Sequence, residues 1–350
     1  MTVWFMRQAS GGPIRTGVNR LPRAICFASP AFPNRSRRRP FSGLVESGKL
    51  RLSDRLFGSG GILGTEYGRP PYRAHIDEIT VEHLLTHTAG GWQNDEHDPM
   101  FSHPEFSHKE LITWTLANQP LEFPPAVHYA YSNFGYCVLG RVVEKLAGQD
   151  YAGAVEGLIL KPCGIAGMRI GGNTLNERAP NEVIYYDQDG NSAYDMNVRR
   201  MDSHGGWLAT PTDLARFLVR VDGFPGKPDL LRPDTISVMT EASKANPGYA
   251  KGWCVNEQRN WWHMGSLPGT TTIMARTSGG FCWAALTNTR KNDSDLGKDL
   301  DHLMWDMVSE IHSWPTQFSH NICYILFVPP LPPRIGFDES MTSKCPKPAL

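Results

Sequence analysis

Four apolar runs in the last third of the chain constrain the fold most strongly. The runs read YAKGWCVN, NWWHM, TTTIMART and GFCWAALTN, and the short turns EQRN, GSLPG and TSGG join them. β-branched and aromatic residues favour strands, and short Gly-containing turns join neighbouring antiparallel strands. The pattern therefore predicts an antiparallel meander.

Helical patterns surround these strands. The segment NFGYCVLGRVVEKLAGQD repeats its apolar residues with helical spacing, which predicts a buried helix with Asn133 as its cap and Gly148 as its stop. Further helices are predicted at residues 81–88, 109–119 and 299–311, and another at 212–221, capped by Thr212 and ended by Gly223. Helices before and after a meander indicate a layered α/β enzyme rather than a helical bundle.

Composition indicates how the chain is divided into domains and which partners it can bind. The chain has 350 residues, 40% of them hydrophobic, so it can bury a large core. We expect a folded domain at 44–314, between an irregular segment at 1–43 and an irregular Pro-rich tail at 315–350. Because the formal net charge is zero, we expect no nucleic-acid partner. PPLPPR (Pro329–Arg334) matches a polyproline ligand for SH3 domains, although a casual proline cluster is the simpler interpretation.

The cysteines and the Arg-rich start bear on localisation. Seven widely spaced cysteines form no CxxC motif and indicate no disulfide framework, which favours the cytoplasm. We expect no membrane span, because no apolar stretch is long enough. The first 45 residues hold eight arginines and no acidic residue. This start resembles a mitochondrial transit peptide, and the same composition arises from GC-rich DNA read in a wrong frame; both interpretations stay open.

Three short segments carry candidate chemistry: HLLTHTAGGW at 83–92, YAYSNFGY at 129–136 and WWHMGSLPGT at 261–270. A tyrosine and an asparagine just before a helix can present a phenol and an amide to one cleft. A histidine beside a glycine on a strand lets a ligand approach the backbone. Taken alone, Asn133 is more typical of a helix cap and Tyr131 of a packed ring. His263 alone is more typical of a core histidine whose hydrogen bonds are satisfied.

No metal or cofactor is expected. His83 and His87 lie four residues apart, as zinc ligands can, but no HExxH glutamate accompanies them, so we interpret both as structural. The His-rich stretch HDPMFSHPEFSHKE is interpreted as a surface loop and a helix start rather than a metal site.

Together, HLLTHTAG, YSN and His-x-Gly resemble the serine β-lactamase and penicillin-binding family, most closely the class C-related esterases and hydrolases. SHGGWLATPTDLARF resembles another block of that family. The resemblance runs from about Leu44 to Trp314. It implies an antiparallel sheet flanked by helices, with a helical subdomain, and a serine hydrolase that acts through an acyl-enzyme on a small-molecule or peptide substrate.

The resemblance also implies roles for individual residues. Tyr131 would be the general base, and Asn133 would hold the substrate amide or acyl side chain. His263 would replace the lysine of the KTG form of the strand motif, and Gly265 would keep the strand open to the substrate. The backbone N–H of Ser266 would contribute to the oxyanion hole.

The nucleophile motif of the family, S-x-x-K, occurs nowhere in the chain. The family position falls on Ala31, with Asn34 where the lysine belongs. Ser36 is a weak substitute, because an arginine follows at the lysine position and cannot act as a base. Reading the codons in another frame permits Phe-Arg-Ile-Ala-Ser-Leu-Ser-Lys-Pro-Phe-Thr-Ala, with its serine at position 31. We therefore interpret this stretch as a frame-shifted nucleophile helix.

Two functions follow from these patterns. The retained motifs favour a serine hydrolase of esterase, amidase, D-peptidase or β-lactamase type, in a catalytically crippled copy. The missing nucleophile favours a non-catalytic binding or assembly protein that keeps the fold. The histidine in place of the motif lysine favours esterase or peptidase chemistry over β-lactamase chemistry, because a neutral imidazole pairs weakly with a carboxylate.

Overall fold

A four-stranded antiparallel sheet forms one layer of the protein. The computed structural model describes residues 23–24, 50–292, 294 and 296–310. Each of its four strands pairs with its neighbour along the chain. The strands span β5 Cys254–Val255, β6 Trp261–Leu267, β7 Thr270–Arg276 and β8 Cys282–Thr287. The predicted meander is confirmed.

Two details of the meander differ from the prediction. The turn predicted at GSLPG contains only Pro268 and Gly269, because β6 continues through Leu267. Gly269 has φ +76°, and a Cβ there would lie 2.6 Å from the Cβ of Tyr185, so only glycine fits this turn. The first run contributes only two residues to the sheet, because Gly252 with φ +84° bends the chain before Cys254.

Eight α-helices lie within the described ranges. They span α1 Val81–Leu85, α2 Pro99–Ser102, α3 His108–Asn118, α4 Asn133–Ala147, α5 Tyr151–Val155, α6 Pro211–Leu218, α7 Pro233–Met239 and α8 Leu296–Glu310. α6 packs against β7 and β8, and α8 packs against β7, whereas α4 packs against α1 and α5. The arrangement confirms the predicted α/β layering, with helices on the sheet and a separate group of helices around α4.

The helix caps differ from the predicted ones by one or two positions. The hydroxyl of Ser132, not the side chain of Asn133, caps α4 by accepting from the N–H of Gly135. At α6, Thr210 and Asp213 form a reciprocal capping box, so Thr212 lies inside the helix. Gly148 ends α4 in the left-handed conformation, as predicted.

Short strand pairs complete the described structure. β1 Arg23–Ala24 and β2 Arg169–Ile170 both pair with β4 Trp207–Leu208, and β3 Tyr186–Asp187 pairs with β9 Thr289–Arg290. The rest of the predicted irregular start lies outside the described residues, including Ala31, Ser36 and the expected nucleophile helix. The predicted tail at 315–350, with Pro329–Arg334, also lies outside them.

The described cysteines include both free thiols and a disulfide-bonded residue. Cys137, Cys163 and Cys282 are free and buried, whereas Cys254 is disulfide-bonded, which does not fit the expected reduced state of the cysteines.

In the described ranges, none of the helices has the length and apolar character of a membrane span.

A buried ion pair connects α4 to the segment before β4. Nη2 of Arg141 donates to Oδ2 of Asp202 at 2.6 Å, and the side chains are 4% and 12% exposed. Burial alone would raise the pKa of Asp202, but the hydrogen bond from His108 and the charge of Arg141 hold the pKa below its ordinary value. A carboxylate with a lowered pKa stabilises the fold above the unfolded-state pKa, and this contribution is lost as the pH falls below about 4.

Replacing Asp202 with Asn is expected to lower the free energy of unfolding by about 3 kcal/mol at pH 7, because the buried guanidinium of Arg141 loses the more buried of its two carboxylate partners and keeps only Glu144. Urea unfolding measures the loss. The matched control is Glu156→Gln, which breaks the exposed pair with Lys161 and should cost less than about 1 kcal/mol. Equal losses of stability in both variants would show that the buried pair contributes no more than the exposed one.

Candidate active site

A cleft opens between the start of α4 and strand β6. Its empty volume is about 340 Å³, open solvent included. The side chains and backbone that line it are Asn94, Phe101, Tyr131, Asn133, Met201, His204, Met264, Gly265, Ser266 and Leu267. Four of the five site residues predicted from the sequence, all except His263, therefore meet at one cleft.

The N-terminus of α4 positions Tyr131 and Asn133. The Ser132 cap starts the helix at Asn133, so Tyr131 lies in the extended segment just before it. Nδ2 of Asn133 donates to Oδ2 of Asp98 at 3.0 Å. A carboxylate only accepts, so this bond turns the amide nitrogen of Asn133 towards Asp98.

Asp98 is a buried carboxyl group that sequence reasoning did not single out. It is 2% exposed, and its Oδ1 accepts from the N–H of Met100 at the start of α2. Burial raises the pKa of Asp98 to about 7, although the hydrogen bonds from Met100 and Asn133 act in the opposite direction. The orientation of Asn133 therefore depends on a group that titrates near neutral pH.

β6 contributes the opposite wall. Gly265 and Ser266 line the cleft, whereas His263 is 5% exposed and is not among the lining residues. The ring centroids of His263 and Tyr131 are 6.4 Å apart. Burial lowers the pKa of His263 to about 4, so the imidazole is neutral at pH 7.

A chain of hydrogen bonds connects the three motif segments behind the cleft. The N–H of Ser132 donates to Nδ1 of His87 at 3.0 Å, and Nε2 of His87 lies 3.1 Å from Oη of Tyr249. Oη of Tyr249 lies 3.5 Å from Nε2 of His263, and Nδ1 of His263 lies 2.7 Å from the carbonyl oxygen of Met264.

The two backbone groups at the ends fix the tautomers. A backbone N–H only donates, so Nδ1 of His87 accepts and its Nε2 carries the proton. A carbonyl only accepts, so Nδ1 of His263 carries the proton and its Nε2 accepts from Tyr249. Burial keeps the pKa of His87 well below its ordinary value, which favours the neutral form that this pattern requires. His87 therefore joins the cap of α4 to Tyr249 through fixed donor and acceptor roles.

Comparison with known proteins decides the family. The Beta-lactamase family model matches residues 43–303, which is most of the chain. The chain belongs to the Beta-lactamase family. The family is a group of serine hydrolases, and it includes the penicillin-binding-protein-like enzymes to which the motifs pointed.

Curated relatives of this Beta-lactamase family chain include a penicillin-binding protein and an esterase. Penicillin-binding protein 4* of Bacillus subtilis (strain 168) is 27% identical over 234 residues, which cover 57% of this chain and 48% of the relative. Esterase EstB of Burkholderia gladioli is 34% identical over 98 residues, 25% of this chain and 24% of the esterase. The chain thus spans about half the length, or less, of the curated relatives it matches.

Solved structures confirm the β-lactamase/transpeptidase-like fold. A D-amino acid amidase from Ochrobactrum anthropi SV3 superimposes with a TM-score of 0.64 at 20% identity, covering 83% of this chain and 85% of the amidase. A penicillin binding protein from Bacillus halodurans gives a TM-score of 0.58 at 19% identity, covering 79% and 82%.

Replacing Tyr249 with Phe is expected to lower the free energy of unfolding by about 1–3 kcal/mol, because the buried Nε2–H of His87 loses its acceptor. Urea unfolding at pH 7 measures the change. Tyr186→Phe is the matched control, since Tyr186 is 58% exposed, and it should change the stability by less than about 0.5 kcal/mol. A Tyr249→Phe variant as stable as the control would show that the hydrogen-bond chain contributes nothing.

Proposed function

We propose that this protein derives from a serine hydrolase that cleaves esters or amides through an acyl-enzyme, and that the chain is catalytically crippled. One observation carries the proposal: Tyr131, Asn133, Gly265 and Ser266 line one cleft, while the sequence contains no S-x-x-K. The site that surrounds the reacting carbonyl is retained, and the group that attacks the carbonyl is missing.

The roles of the retained residues follow from the chemistry of acyl transfer. A nucleophilic hydroxyl attacks the substrate carbonyl and gives its proton to a base, and the leaving alcohol or amine takes up a proton as the acyl-enzyme forms. In this proposal Tyr131 is that base and later activates the deacylating water. The N–H of Ser266 stabilises the oxyanion, a contribution typically worth a factor of about 10²–10³ per donor.

Asn133 and His263 bear on the substrate class. Asn133 presents the part of its amide that does not face Asp98 to the acyl portion of the substrate. His263 is neutral and is not among the lining residues, so it offers no positive charge to a substrate carboxylate, whereas a lysine at the cleft would. We therefore expect neutral esters and amides, including peptide-like ones, to fit better than penicillin-type carboxylates.

The missing nucleophile favours a second candidate function. A chain that keeps the cleft and lacks the attacking group can bind an acyl compound without turning it over. In that case Tyr131 and Asn133 act as ligand-binding groups in a non-catalytic binding or assembly protein.

A repaired chain tests the proposal. We expect no labelling of the unmodified chain by a fluorophosphonate probe, because no activated serine is present. A variant whose residues 27–38 read FRIASLSKPFTA should be labelled at position 31. Its matched control reads FRIAALSKPFTA and should not be labelled. Mass spectrometry of the intact protein and of its peptides measures the adduct.

The outcomes separate the two functions. Labelling of Ser36 or another serine in the unmodified chain would overturn the claim that the chain is crippled. A folded repaired variant that remains unlabelled would contradict the hydrolase origin and favour the binding protein.

A further inference from the structure

Asp98 is a buried carboxyl group that acts on the cleft through Asn133. It is the N-cap residue of α2, and it is not among the residues that line the cleft. Its Oδ1 accepts from the N–H of Met100 at 2.8 Å, and its Oδ2 accepts from Nδ2 of Asn133 at 3.0 Å. Asn133 does line the cleft. A change in the hydrogen bonding of Oδ2 therefore acts on an amide in the cleft wall.

The bond from Met100 determines where Asp98 carries a proton. A backbone N–H only donates, so Oδ1 of Asp98 remains an acceptor in both charge states of the carboxyl group. A proton taken up by Asp98 therefore resides on Oδ2, the oxygen that faces Asn133. Asp98 is 2% exposed, so this O–H has no access to solvent and needs an acceptor within the protein.

Asn133 supplies that acceptor by turning its amide. An asparagine amide has an oxygen that accepts and a nitrogen that donates, and a rotation of about 180° around χ2 exchanges the two. An ionised Asp98 accepts from Nδ2, which leaves Oδ1 of Asn133 for the cleft. A protonated Asp98 donates from Oδ2 to Oδ1 of Asn133, which leaves the NH₂ group for the cleft. The two charge states therefore present opposite hydrogen-bonding groups to a ligand.

The surroundings of Asp98 bring its two charge states close in free energy. Burial raises the pKa of Asp98 to about 7, and the negative charge of Asp95 acts in the same direction. The hydrogen bonds from Met100 and Asn133 and the positive charge of Arg200 act in the opposite direction. Both orientations of the amide are therefore accessible near neutral pH.

The charged groups on the elements around Asp98 have other partners. Asp95 accepts from residues of its own loop, and Arg200 donates to three backbone carbonyls around α2. On α3, which packs against α2, the imidazole of His108 lies 3.4 Å from Oδ1 of Asp202. α4 also packs against α2, and it faces Asp98 with an uncharged amide. Proton uptake by Asp98 therefore acts first on its own hydrogen bonds.

We propose that Asp98 is a positioning residue of the cleft, whose proton decides whether the amide oxygen or the amide nitrogen of Asn133 faces a bound acyl compound. Asp98 touches no ligand and acts only through Asn133. The inference rests on the proposed function, because it takes the cleft to hold an acyl compound. It gives the cleft a preference that changes with pH, since an acyl group that has only an acceptor fits the protonated state of Asp98.

A pH titration of the unmodified chain by NMR tests the positioning role without catalysis. The chain carries ¹³C at the aspartate carboxyl carbons and ¹⁵N at the asparagine side-chain amides, and the variants Asp98→Asn and Asn133→Ser identify the two signals. We expect Asp98 to titrate near neutral pH, because burial raises its pKa to about 7. The amide signals of Asn133 should shift with the same midpoint.

Asp98→Asn is an isosteric variant with one fixed state. Its amide oxygen still accepts from Met100, so its amide nitrogen donates towards Asn133 and holds that side chain in the orientation of the protonated carboxyl. The amide signals of Asn133 should then be independent of pH. Asp95→Asn is the matched control, because it removes a nearby carboxylate that is bonded to its own loop. The transition should remain and move to lower pH, since the charge of Asp95 raises the pKa of Asp98.

Two isosteric esters measure the consequence for a ligand. Para-nitrophenyl methoxyacetate and para-nitrophenyl butyrate differ by an ether oxygen in place of a methylene group, and that oxygen accepts and cannot donate. The ratio of their kcat/KM values in the repaired chain cancels the pH dependence of the shared chemistry. We expect this ratio to fall about threefold between about pH 6 and about pH 8.5, the effect of one neutral hydrogen bond. Asp98→Asn in the repaired chain should keep the ratio at its low-pH value.

The proposal is overturned if Asp98 does not titrate near neutral pH or if the amide of Asn133 does not follow it. It is also overturned if Asp98→Asn lowers both rates equally at every pH while the ratio of the parent stays constant, which a purely structural role predicts. An active repaired chain with a constant ratio would retain the hydrolase and reject the positioning role. Coupled NMR transitions in a chain whose repaired variant is inactive would retain the positioning role in a non-catalytic binding protein.

Discussion

A series of hydrogen bonds from the N–H of Ser132 to the carbonyl of Met264 connects the start of α4 to strand β6. It begins at the cap of α4, passes through His87 and Tyr249, and ends on β6. Both ends are backbone groups, so the side chains between them have a single consistent pattern of donors and acceptors. The start of α4 and strand β6 form opposite walls of the cleft, and these hydrogen bonds fix the position of one wall relative to the other.

Much of the fold follows from local patterns in the sequence. The strands were predictable because β-branched and aromatic runs alternate with short turns. The buried helix α4 was predictable because its apolar residues repeat with helical spacing. The caps were less predictable, since Thr210 and Thr212, or Ser132 and Asn133, are equally good capping residues by type. Tertiary packing decides between them. The end of β6 was missed for a similar reason, because pairing with β7 keeps Gly265 and Ser266 in the strand.

The site residues also divide into those that local motifs predict and those that depend on tertiary contacts. The sequence singles out Tyr131, Asn133, Gly265 and Ser266 because each lies in a short motif. Asp98, Tyr249 and His204 were not found, since each acts through a partner or a cleft that is distant in sequence, and no local spacing marks such a contact. The family comparison confirms the class of protein, whereas the roles of individual residues depend on the geometry of this chain.

The side chains that line the cleft within the described residues include no Lys, Arg, Asp or Glu. His204, the titratable imidazole among them, is neutral because burial lowers its pKa to about 3. The wall of the cleft therefore offers an ionic ligand no charged partner, and the nearby carboxyl of Asp98 lies behind Asn133. Recognition in this cleft therefore depends on hydrogen bonds and shape rather than on ion pairs with its wall.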